Sequence, residues 1–129
     1  VPRHPTTGPT DVELQILGVL WRLGSATVRQ VHDALAHQRE TGYSTTLKML
    51  QVMREKELVV RDDSVRPQLY EAAEPREKTQ LHLLDELAQK AFGGSAARLV
   101  MRMLSADRVS PEELVEMQRL IDQAKGDTP

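Results

Sequence analysis

Ser44, Thr45, Thr46, Lys48 and Gln51 gather hydroxyls, an ammonium and an amide within one short stretch, and Arg61 and Arg66 follow in the next. None of these groups is a poised nucleophile or an acid–base pair. Their shared chemistry is hydrogen bonding and charge. Hydroxyl, amide and ammonium groups read base edges in a major groove, and guanidinium forks grip phosphates. Arg29, upstream, adds another cation. The bland alternative is a solvated helix face, with Arg61 and Arg66 paired to Asp62 and Asp63.

Candidates for bond-making chemistry are few. Cysteine is absent, which leaves no disulfide, no thiolate metal ligand and no cysteine nucleophile. The 4 histidines are His4, His32, His37 and His82. His32 and His37 fall on one expected helix about 140° apart at 3.6 residues per turn, so they share no face. Both read as surface or satisfied helix residues. No carboxylate–histidine spacing matches a metalloprotease, and no glycine-rich loop suits a phosphate. Gly93-Gly94 reads as a helix break. The sequence points to no enzyme, no metal site and no cofactor.

The elements that must position the polar groups follow from periodicity and capping. Thr10 to Glu13 is a capping box opening a helix to about Leu23, with Leu14, Leu17, Leu20 and Trp21 inward. Gly24 and Ser25 close it. Thr27 to Gln30 is a second box, and Val28, Val31 and Leu35 form the stripe of a helix that fades near Gln38. A third helix has Thr46, Leu50 and Met53 on one stripe with Met49 beside them, and Tyr43 or Ser44 as its hydroxyl cap. Ser44, Thr45, Lys48, Gln51 and Glu55 then point outward, while Thr46 is a candidate for both the stripe and the contact face. Leu58 to Arg61 and Gln68 to Glu71 read as strands around turn residues Asp62 to Ser64, with Pro67 at a strand start or edge. The fold class is mostly α: a winged helix-turn-helix, three helices plus a small β-hairpin wing, followed by a helical dimerisation region.

That second region begins near Pro75. Leu81, Leu84, Leu87, Ala88 and Ala91 form a stripe up to Gly93-Gly94. A short apolar helix, Ala96 to Leu104, carries Leu99, Val100, Met101, Met103 and Leu104. Ser110 to Glu113 is a third capping box with proline at the first helical position. Leu114, Met117, Leu120, Ile121 and Ala124 follow at helical spacing. These helices are too one-sided to hide their apolar faces alone, so two copies are expected to pack through Leu84, Leu87, Leu99, Val100, Met103, Leu114, Met117, Leu120 and Ile121. The competing arrangement folds them back onto the winged helix as one monomeric core.

The runs TDVELQILGVLW, ATVRQVHDAL, GYSTTLKMLQVMREKELV and RDDSVRPQLYEA, in this order, resemble the BlaI/MecI-type penicillinase repressor family. The resemblance extends from about Pro9 to Gln123. It implies a dimeric bacterial transcriptional repressor with an N-terminal winged helix for double-stranded operator DNA and C-terminal helices for dimerisation. Many members have glycine where this chain has Glu57. By family analogy a membrane sensor-protease is a partner, cutting within the short dimerisation helix, commonly at Asn-Phe. The aligned pair here is Arg102-Met103, which does not match, so that site is not carried over. The cysteine-rich tail of copper-responsive relatives is missing, which argues against copper sensing.

The domains expected are a flexible arm over 1–8, bearing Arg3 and His4, a winged-helix DNA-binding domain over 9–73, and a helical dimerisation region over 74–126. The formal net charge is -2. The first 72 residues balance 9 basic against 9 acidic side chains, and the remainder hold 8 against 10. Affinity for DNA must therefore come from local clustering of Arg29, Lys48, Arg54, Arg61 and Arg66, doubled in a dimer. No apolar run approaches a membrane span and no secretory signal is visible, so a bacterial cytoplasmic location without membrane insertion is expected. Near-neutrality keeps a second function open: a winged-helix protein-interaction module without sequence-specific DNA binding.

Overall fold

The computed structural model describes residues 8–126. Its elements are α1 (Asp11–Leu23), α2 (Val28–Ala36), α3 (Tyr43–Glu55), β1 (Val59–Asp62), β2 (Leu69–Ala72), α4 (Arg76–Ala91), α5 (Ala96–Ser105) and α6 (Pro111–Gly126). This is the mostly helical architecture expected, with one small antiparallel hairpin. The expected arm over 1–8 lies outside the described residues except for Gly8.

Reciprocal caps open the first two helices. The Thr10 hydroxyl accepts from the Glu13 N–H at 3.2 Å, and the Glu13 carboxylate accepts from the Thr10 N–H at 2.9 Å. Thr27 and Gln30 repeat the exchange at 3.1 and 2.9 Å. Each box satisfies two N–H groups that the helix start leaves without a partner.

The third helix starts differently from expectation. Its N-cap is Gly42, which makes no side-chain cap bond, and Tyr43 is already helical. The hydroxyl cap assigned to Tyr43 or Ser44 is therefore not formed. Glycine costs only a few tenths of a kcal/mol at an N-cap relative to Ser or Thr. One turn in, the Thr46 hydroxyl donates back to the Gly42 carbonyl at 3.3 Å.

The end of α3 explains why β1 begins one residue late. The Leu58 N–H bonds the Met53 carbonyl at 2.9 Å and the Glu57 N–H bonds the Arg54 carbonyl at 3.0 Å. That pair of bonds is a Schellman cap, with Glu57 in the left-handed region at φ 65°. Leu58 is consumed by the cap, so β1 runs from Val59 into Asp62, and Asp62 is a strand residue rather than part of the turn. β2 is likewise shifted one residue on. The register pairs Val59 with Ala72, Val60 with Glu71, Arg61 with Tyr70 and Asp62 with Leu69. Ala26, between α1 and α2, exchanges both backbone bonds with Tyr70 at 2.9 and 2.8 Å and ties the hairpin to the helices.

The core of the first compact unit, which ends at Leu83, joins Ile16, Leu17, Val19, Leu20, Ala26, Val31, Leu35, Leu50, Met53, Val59 and Tyr70. Ile16 and Val19 belong to it although the sequence reading omitted them. Leu14 and Trp21, expected inward, are only half-buried. The Trp21 indole N–H instead donates to the Glu74 carbonyl at 2.9 Å, and the Arg76 guanidinium lies 5.6 Å from its ring centroid.

The second compact unit begins at Leu84, within α4. Gly93 and Gly94 end α4 with φ of 59° and 81°. The Ser95 hydroxyl accepts from the Arg98 N–H at 3.1 Å and starts α5. The expected box at α6 forms, with Ser110 and Glu113 bonded at 2.9 and 3.1 Å.

The left-handed Glu57 generates a prediction. A non-glycine residue there costs about 1–2 kcal/mol of backbone strain. Glu57→Gly removes the strain but loosens the unfolded chain. The expected net outcome is about 1 kcal/mol more stability in urea denaturation, and a loss of stability contradicts the account of this turn.

Candidate nucleic-acid interface

The inner stripe of α3 consists of Thr46, Leu50 and Met53, each with no exposed surface. At 3.6 residues per turn, Ser44, Lys48, Gln51 and Glu55 fall within an arc of about 60° on the opposite side. Ser44, Thr45, Lys48 and Gln51 are all exposed. Burying one stripe thus obliges the other face to be open.

Thr46 corrects the sequence reading. Being fully buried, it cannot reach a base edge, and it is removed from the contact set. Its hydroxyl donates to Gly42 and stands 3.2 Å from His32 Nδ1. His32 is a satisfied helix residue, as expected, but it also joins α2 to the start of α3.

Around that joint sits a shelf that the sequence did not reveal. The Tyr43 ring meets the His32 ring edge-on, with centroids 5.7 Å apart. On the same ring lies the Arg29 guanidinium, 4.4 Å from the centroid, a cation–π contact. Arg29 is therefore positioned beside the start of α3. Nothing in the spacing of Arg29 and Tyr43 signals this, because the two belong to different helices.

At the other end, Lys56 Nζ donates to both Glu13 oxygens at 3.0 and 2.9 Å. Glu13 is buried and also closes the α1 capping box. One carboxylate thus ties the start of α1 to the end of α3. The polar face of α3 is held at both ends.

The wing is electrostatically mixed. Arg61 donates from Nε and Nη2 to the two oxygens of Asp63, the latter at 3.2 Å. Asp62 instead accepts from the Ser64 N–H at 2.9 Å and from the Ser64 hydroxyl, an Asx-turn at the hairpin tip. The hydrogen bond from Arg61 holds the Asp63 carboxyl below the usual aspartate range, and the charges of Arg61, Arg54 and Arg66 add to the effect. The Ser64 side chain and backbone likewise lower Asp62. Of the two expected wing arginines, Arg61 is thus engaged by Asp63, and Arg66 is exposed.

A shallow concavity lined by Gln51, Arg54, Glu55 and Arg61 connects the outer face of α3 to the wing. Val52, 38% exposed, lies on the same helix beside Lys48 and is an apolar group of the size that packs on a thymine methyl. Among the described residues no cluster of His, Cys, Asp and Glu is arranged to hold a metal ion. No helix among them is long and apolar enough to cross a membrane.

The family described as "Penicillinase repressor" matches residues 9–123. Two curated relatives are each called "Transcriptional regulator BlaI", from Mycobacterium tuberculosis strains CDC 1551 / Oshkosh and ATCC 25618 / H37Rv. Each is 33% identical over 115 residues, covering 86% of this chain and 80% of the relative.

The wing pair can be tested by titration. NMR of the Asp63 carboxyl is expected to give a midpoint below the ordinary aspartate value of about 3.9. A depressed folded value means that the stabilisation is present above the unfolded value and is lost as pH falls through the folded one. In Arg61→Ala the midpoint rises toward the ordinary range. A midpoint that does not move contradicts the pairing.

Proposed function

The chain belongs to the penicillinase repressor family, and from that premise we propose that it is a transcriptional repressor that binds a dyad operator in double-stranded DNA as a homodimer. The observation that carries the DNA reading is the exposed face of α3. Ser44, Thr45, Lys48 and Gln51 stand out from a helix whose opposite stripe is fully buried. A helix carried this way presents its side chains to a major groove while the flanking elements meet the backbone. Arg29, seated on Tyr43, would meet phosphate near the helix start, and Arg61 and Arg66 would do so at the wing.

The dimer reading rests on the second unit. Neither α5 nor α6 contains a buried residue. Leu84, Leu87, Val100, Met103, Leu114, Leu120 and Ile121 are each exposed by 44% to 51%. Leu99 and Met117 are half-buried, and Met101, Leu104 and Val115, absent from the expected set, are exposed as well. Apolar surface of this extent on short helices calls for a partner, and a second copy supplies a self-complementary one. A two-fold protein then matches half-sites about one helical turn apart. A membrane sensor-protease is the regulator suggested by family membership, without a cleavage site carried over to α5, where Arg102 and Met103 do not match the family's motif. The bacterial cytoplasm is the location that suits a repressor of this kind.

The alternative, a protein-docking winged helix, draws on the net charge of -2. Mobility-shift titration against genomic fragments at two salt concentrations separates the two. Sequence preference with a marked loss of affinity at the higher salt supports the repressor, whereas the docking module shows neither. Lys48→Ala is expected to weaken operator binding by about 1–3 kcal/mol per half-site, at least roughly fivefold for each, with an unchanged melting temperature because Lys48 is exposed. Unaltered operator affinity in this variant would falsify the assignment of Lys48.

A further inference from the structure

At the junction of the wing and α3, one arginine grips a carboxylate while a second stands beside it. Arg61 forks onto Asp63, Arg54 and Arg61 line one concavity, and the charges of Arg54 and Arg66 also act on Asp63. The planar, two-oxygen face that Asp63 offers to Arg61 is the face that a phosphodiester offers. Both partners stay accessible, with side chains 21% exposed for Arg61 and 49% for Asp63. Asp62, its neighbour in sequence, is used differently, since its bonds go to Ser64 at the hairpin tip.

We propose that Asp63 is the internal occupant of a phosphate-binding site formed by Arg61 and Arg54, and that a DNA backbone phosphate displaces it when the wing closes on the duplex. The inference rests on the DNA-binding reading above. Displacement is feasible because both partners are solvent-accessible, and exposed ion pairs typically hold their partners by only about fivefold. A duplex, with one negative charge about every 1.7 Å of axis, competes strongly for the same guanidinium. Glu55 shares the concavity and contributes a second negative charge that disfavours loose association. The pair thus works as an affinity limiter. In free protein it neutralises Arg61, and only a phosphate delivered in register by α3 exchanges with it. This explains how a winged helix with balanced charge restrains non-specific binding to any polyanion.

Asp63→Asn, Asp62→Asn and Arg61→Ala, with the double variant Arg61→Ala/Asp63→Asn, test the proposal by titration against operator and against unrelated duplex. Asparagine at position 62 can still accept from Ser64, so Asp62→Asn changes charge alone. At about 50 mM salt, Asp63→Asn is expected to tighten binding to both duplexes by roughly three- to fivefold per wing. The slope of log affinity against log salt steepens by about 0.9 per wing on unrelated duplex, where Arg61 gains a phosphate, and stays unchanged on operator, where the wild-type arginine already neutralises one. The Arg61→Ala background abolishes both gains, and Asp62→Asn gives neither. Equal effects of Asp62→Asn and Asp63→Asn reduce the result to general charge and overturn the proposal, as does a gain that survives Arg61→Ala. Failure of the repressor reading is recognised separately, by wild-type protein that does not prefer operator, since the release of Arg61 by Asp63→Asn is still read on unrelated duplex.

Discussion

The burial of Thr46, Leu50 and Met53 is the constraint on which the rest depends. A helix has one rotational setting about its axis, and these three fully buried side chains fix it. Ser44, Lys48 and Gln51 face outward because those three face inward. Two polar contacts reinforce the setting, each joining α3 to another helix. His32 bonds Thr46 at the start, and Glu13 takes Lys56 at the end. Glu13 is well suited to the task because its oxygens also serve the α1 cap, leaving a buried carboxylate fully satisfied. A surface pair contributes little to position, whereas this anchored one defines where α3 must end.

Charge is arranged more by place than by amount. The cations that could meet DNA are distributed over three elements and the wing loop: Arg29 on α2, Lys48 and Arg54 on α3, Arg61 on β1 and Arg66 beyond it. Tyr43 orients the first of them and Asp63 occupies the fourth. On the proposed reading, preorganising one cation while restraining another would favour binding in register over binding anywhere. The net charge of the chain then says little about its affinity, because the field near the interface is set by side chains within a Debye length of about 10 Å.

Sequence reasoning recovered what local rules control. All three capping boxes form, the α3 stripe is buried as its spacing indicates, and the helix break at Gly93-Gly94 is in place. Errors arose where tertiary geometry overrides a local preference. Gly42 caps α3 although hydroxyl residues stand beside it. Leu58 looks like a strand residue but completes a helix cap, with Glu57 taking the left-handed turn that suits glycine. The family resemblance flagged position 57 but did not show the turn's conformation. The shelf of Arg29, Tyr43 and His32 was not legible because it joins two helices, and no single-chain periodicity reports such a contact. The choice of Asp63 over Asp62 by Arg61 likewise depends on the hairpin's shape. Sequence alone left that pairing open.

The proposed dimer draws on the second unit, where α5 and α6 contain no buried residue and leave their apolar faces open. The central claim is that the outer face of α3 is the surface DNA covers. Because the chain has no cysteine, a single introduced thiol reports its own surroundings. Alkylation of Gln51→Cys is expected to slow sharply when operator duplex is added, while Gln80→Cys, exposed on α4, reacts at the same rate with and without it. Equal alkylation of Gln51→Cys in free and DNA-saturated protein would contradict the account.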